Sequence, residues 1–70
     1  MMRASNVQSR RKLIAEKAEL DQKLAMLDGF LFSERSEGLS EYPRSVLMRQ
    51  RVAMSDYSEA LGERLACLTD

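Results

Sequence analysis

The chain has no histidine and no tryptophan, and it holds one cysteine, one proline and three glycines. Each shortage excludes something. Without histidine, no side chain changes charge near neutral pH at its ordinary pKa, and the commonest metal ligand is missing. Cys67 has neither a base partner nor a second cysteine, so an internal disulfide is excluded and an activated thiolate is not expected. Gly29, Gly38 and Gly62 make no phosphate-cradling loop. The carboxylates are strewn along what read as exposed helix faces. Neither an enzyme nor a bound metal or cofactor is expected. No stretch is long or apolar enough to be a signal peptide or a membrane span. A lone cysteine fits a reducing compartment, so the chain reads as cytosolic. Excess charge is also lacking: 11 basic residues face 11 acidic ones, which argues against a general DNA or RNA binder.

Seventy residues allow one domain at most. A chain this short buries too little of its surface to be comfortable alone. With no disulfide and no metal, self-association is the expected remedy.

What is present is helical periodicity. In the first half, Leu13, Leu20, Leu24, Leu27 and Leu31 form an apolar stripe, with Lys17 intruding. Ser5-x-x-Gln8 fits a capping box, with Asn6 or Ser9 as alternatives, and predicts a helix over about residues 6–31. A short extra helix ahead of it is compatible with the same pattern. Glu19 and Lys23 stand in the favourable i,i+4 order. Asp28-Gly29 is a place for a kink, beyond which Phe30, Leu31 and Phe32 are expected to lap over the core. Residues 33–40 read as the connecting loop, anchored by Leu39. Ser40 is placed to cap a second helix over about residues 41–67, with Pro43 harmless in its first turn. The loop is short enough to set the helices antiparallel. The fold class is therefore all-α, a two-helix hairpin.

In the second helix, Leu47, Gln50, Met54, Tyr57, Leu61, Arg64 and Leu68 follow each other at alternating spacings of three and four, the seam of a helix pair. Gln50 in such a stripe fixes register. Tyr57 reads as a core aromatic whose hydroxyl finds one partner, or as a ring for a base to stack on. Cys67 reads as a small buried hydrophobe. Arg64 is the oddity. An unpaired buried charge costs several kcal/mol, so Arg64 must escape to water, meet an acid, or await an anionic ligand. Off the seam, Ile14, Ala18 and Ala25, with Val46, Ala53 and Ala60, form a second small apolar set that one hairpin cannot cover. These residues predict a homo-oligomer.

Charge is neutral overall but uneven. Arg10, Arg11 and Lys12 cluster with no acid beside them. They read as a solvated basic end or as a phosphate contact. Lys23 flanks the seam beside Leu20 and Leu27 and alone needs no explanation.

The order Glu16-Lys17-x-x-Leu20-Asp21-x-Lys23-x-x-x-Leu27-x-x-Phe30, then Gln50-x-x-x-Met54-x-x-Tyr57-x-x-x-Leu61-x-x-Arg64, resembles the phage-encoded anti-CBASS type II sponges. The resemblance covers residues 10–66. It implies a compact homohexamer in the host cytoplasm that binds cyclic oligonucleotide messengers without cleaving them. Cyclic dinucleotides such as cyclic GMP–AMP would lie between protomers, touched by Lys23. Cyclic trinucleotides such as cyclic tri-AMP would lie on three-fold axes, met by Arg64 from three protomers. Relatives carry an aromatic near Gln8 or Ser9 and a hydroxyl residue where this chain has Ala25. Both departures fall on the dinucleotide pocket, where Arg11 or Lys12 can compensate by holding phosphate. The alternative, from another class, is a helical-hairpin adaptor or oligomerisation module for a protein or RNA partner.

Overall fold

The computed structural model describes the backbone of residues 2–68 and the side chains of residues 9–68. Two long helices, α1 (Met2–Leu31) and α2 (Glu41–Cys67), are joined by a 3-10 helix over Glu34–Gly38. They form an antiparallel hairpin measuring 53 × 15 × 14 Å.

α1 is one continuous helix, with no separate N-terminal piece. It begins ahead of Ser5, so the expected capping box lies inside the helix rather than at its start. Nothing in Met2-Arg3-Ala4 opposes a helix, and Arg and Ala are among the best helix formers. The Gln8 side chain is outside the described residues. Gly29 does not kink α1, which runs through it to Leu31 with no positive-φ residue. Leu31 is buried and Phe30 half-buried, but Phe32 is 85% exposed, pointing away from the core it was expected to cover.

The turn is anchored by a residue that hydropathy would pass over. Ser36 is 1% exposed. Its hydroxyl lies 2.9 Å from the Leu31 carbonyl oxygen, one of the orphan acceptors that every helix end leaves. Arg44 of α2 donates to the Ser36 carbonyl at 2.7 Å. Ser40 occupies the cap position of α2 without a side-chain capping bond.

The α1 seam is the expected one: Leu13 and Leu31 are buried, and Leu20, Leu24 and Leu27 are half-buried. The α2 seam is rotated by half a step. Leu47, Met54, Leu61 and Leu68 face α1 as expected, but the places between them belong to Arg51, Ser58 and Leu65. Gln50, Tyr57 and Arg64 stand one residue earlier, on the shoulder of the helix, and all three are exposed. Cys67 is exposed as well, not the buried hydrophobe expected.

The register is set by polar pairing across the seam. Lys17 donates to Asp21 at 2.8 Å and to the Ser58 hydroxyl of α2 at 3.0 Å, while Ser58 donates to Asp21. Arg51 pairs with Asp28. These are the ion pairs formed among the described residues; the expected Glu19–Lys23 pair is not one of them. The shifted register brings Arg51 opposite Asp28 and adds Ser58 to the Lys17–Asp21 pair that α1 already holds.

Candidate functional site

Because Gln50, Tyr57 and Arg64 are seven residues apart, they line one side of α2, as the helical period requires. At the open end of the hairpin this side meets α1 in a groove of about 550 Å³. Ser9 and Leu13 form its α1 wall, and Ala60, Arg64, Cys67 and Leu68 its α2 wall, with Glu63 also lining it. The groove exists because the two helices present small residues, Ser9 and Ala60, where larger side chains would close it.

Arg64 is therefore not a charge trapped in a greasy stripe. It is exposed at a groove wall, and no ion pair joins it to a carboxylate among the described residues. Of the three fates open to it, this hairpin realises the first, escape to water.

Tyr57 is 45% exposed and bonds across the hairpin, its hydroxyl donating to Oε2 of Glu16. The Glu16 carboxylate favours the protonated phenol and holds its pKa above the usual value. Arg64 acts weakly the other way on the same phenol, placing its charge within electrical reach of the ring. Asp21, in the seam, is shifted downward by its bond from Lys17 and then by that from Ser58. Gln50 approaches only Met54, with Nε2 at 3.8 Å from Sδ.

The remaining basic candidates are not brought together. Lys23, Arg11 and Lys12 are all exposed. Lys12 and Lys23 point to nearly the same side of α1 but stand about 16 Å apart along its axis, and Arg11 is turned about 100° from Lys12. One hairpin cannot gather these groups around one small ligand.

Sequence reasoning missed Glu16 as the partner of Tyr57. The signal was available only through register: Glu16 comes opposite Tyr57 once Lys17 is set opposite Ser58. A second groove, of about 520 Å³, runs along the outer side of α2 past Met48, Arg49, Val52 and Asp56. Among the described residues no group of His, Cys, Asp or Glu is arranged to hold a metal ion. No helix is long and apolar enough to cross a membrane.

The searches of curated proteins and of solved structures matched nothing. Residues 8–67 match the family model named Sequestin. This bears out the likeness to the anti-CBASS sponges carried by Glu16 to Arg64, and the name is that of proteins that bind and sequester. Spanning both helices and the turn between them, the match shows that this chain belongs to the Sequestin family.

Proposed function

We propose that this protein is a phage immune-evasion factor that sequesters cyclic di- or trinucleotide messengers of host CBASS defence, intact, in the host cytoplasm. The observation that carries the reading is the family match over both helices, because an exposed arginine alone specifies no ligand. Arg64 supports it. A guanidinium at a groove wall, joined to no carboxylate among the described residues, can take a phosphate in the bidentate geometry that suits it.

Assembly into a homohexamer is part of the proposal, and the surface of the hairpin supports self-association. An 8.0 kDa protein is expected to expose about 4,450 Å² when folded alone. This chain exposes 5596 Å². The surplus is larger than the roughly 800 Å² per partner of an ordinary protein interface. Ile14, Met48 and Val52 are each about half exposed, so apolar surface is available to fill that role. Ala18, Ala25, Ala53 and Ala60 are exposed too, and small residues let another helix approach closely.

Assembly also bears on the dinucleotide site. Lys23 stands far from Arg11 and Lys12 in one hairpin, so a pocket using both would be built from two protomers. In the trinucleotide site, Arg64 from three copies would meet three phosphates, a match of charge and symmetry that one copy cannot supply.

A thermal-shift screen over cyclic oligonucleotides tests this. A ligand at 100 times its Kd adds about 2.7 kcal/mol of stability. A shift with cyclic GMP–AMP or cyclic tri-AMP supports sequestration. No shift with any cyclic oligonucleotide refutes it and leaves the adaptor reading.

A further inference from the structure

The groove beside Arg64 is lined as far as Leu13 and Ala60. One turn further along each helix stand Glu16 and Tyr57, exposed and bonded to each other. The two ends differ in character. Arg64 offers a cation. Two turns away, about 10 Å along α2, stand a carboxylate and a half-exposed aromatic ring. Between them, Ala60 and Leu13 give an apolar floor with little height. Glu16 is exposed and uses Oε2 for Tyr57, and its other oxygen has no hydrogen-bond partner among the described residues.

On the sequestering reading above, we infer that Glu16 and Tyr57 form a subsite that reads the base. With a phosphate held at Arg64, the attached base lies over Ala60 against the Tyr57 ring. Its edge turns toward the free oxygen of Glu16. An ionised carboxylate accepts hydrogen bonds and cannot donate them. It therefore favours adenine, whose exocyclic amino group offers two N–H donors, over uracil, whose single N3–H is flanked by two carbonyl oxygens that the charge repels. Ring stacking adds affinity without choosing among bases, so the choice falls to Glu16.

The test titrates the full chain, as wild type, Glu16→Gln and Tyr57→Phe, with cyclic tri-AMP and cyclic tri-UMP, alongside melting curves. Wild type should prefer cyclic tri-AMP by about tenfold or more, the scale of one hydrogen bond to a charged acceptor. Glu16→Gln should melt as wild type and lose about tenfold for cyclic tri-AMP, while cyclic tri-UMP, held by the untouched phosphate contact, stays within about threefold. Tyr57→Phe should keep the preference, since ring and carboxylate both remain. An unchanged preference in Glu16→Gln, equal losses for both ligands, or loss of the preference only in Tyr57→Phe overturns the subsite. A lowered melt in Glu16→Gln makes the residue structural and also overturns it. Wild type binding both ligands equally sinks the subsite alone; wild type binding no cyclic oligonucleotide sinks the sequestering reading with it.

Discussion

The Lys17 ammonium lies 3.0 Å from the Ser58 hydroxyl, joining the two helices at a point where a leucine would be expected. Ser58 is 7% exposed and sits between Lys17 and Asp21. Gly62, one turn on, lies beside the lysine stem: a Cβ there would stand 3.4 Å from the Lys17 Cε, an ordinary van der Waals contact. The seam is thus held in register by polar bonds as well as by apolar contact.

Ser58→Ala removes both bonds while keeping the helix. It should lower unfolding free energy by about 1 kcal/mol, read from urea denaturation at fixed protein concentration. An unchanged midpoint would mean that Lys17 and Asp21 satisfy each other without Ser58.

Leu61 is fully enclosed, at 0% exposure. Leu61→Ala should cost about 2–5 kcal/mol, the range for emptying a leucine site. For a hairpin with so few buried apolar side chains this is most of its stability, so the far-ultraviolet helical signal should fall at room temperature. Retention of the full signal would show the core to lie elsewhere, in contacts between copies.

Two shifted acids give pH signatures of known sign. The folded state holds Asp21 below its ordinary 3.8, chiefly through Lys17 and then Ser58. Stability from this carboxylate is present above that ordinary value and is lost as pH falls through the depressed one. Melting temperature should drop on acidification below about pH 4, and Asp21→Asn should flatten the drop. Tyr57 is shifted the other way, above its ordinary 10.0, chiefly by Glu16. Its contribution is present below that ordinary value and lost as pH rises through the raised one. Ultraviolet titration of wild type against Tyr57→Phe isolates this phenol. Its midpoint should move back toward the ordinary value in Glu16→Gln.

Gly29 lies within α1 with nothing within 4 Å of the place a Cβ would take. Gly29→Ala should stabilise the chain by about 0.5–1 kcal/mol through helix propensity. Destabilisation would mark Gly29 as a point of close approach between protomers.

The hairpin was legible because α1 carries one unambiguous leucine stripe and the turn follows from Ser, Gly and Pro placement. The α2 seam was only half legible. Leu47, Met54, Leu61 and Leu68 fix every second contact, and the places between can be filled from either neighbouring row. Gln50, Tyr57 and Arg64 compete there with Arg51, Ser58 and Leu65. Hydropathy does not separate the rows, since each holds polar residues. What separates them is the partner: Arg51 meets Asp28 and Ser58 meets Lys17, which requires knowing the antiparallel register. Arg64 was thus singled out on a mistaken premise, burial, and remains of interest for the opposite reason, its exposure. Lys23, Arg11 and Lys12 do not resolve into a site from sequence because the period of α1 spaces and turns them apart on one hairpin.

Sequestration is tested most directly by mixing the protein with cyclic tri-AMP at one ligand per three chains, filtering away free nucleotide, then denaturing the retained protein and identifying what it releases. Wild type should retain the nucleotide and give it back as the intact ring, while Arg64→Ala, of unchanged assembly size, should leave it in the filtrate. Retention by Arg64→Ala equal to wild type, passage of the ring through the filter with wild type, or release of a linear product would contradict capture of an intact cyclic messenger at Arg64.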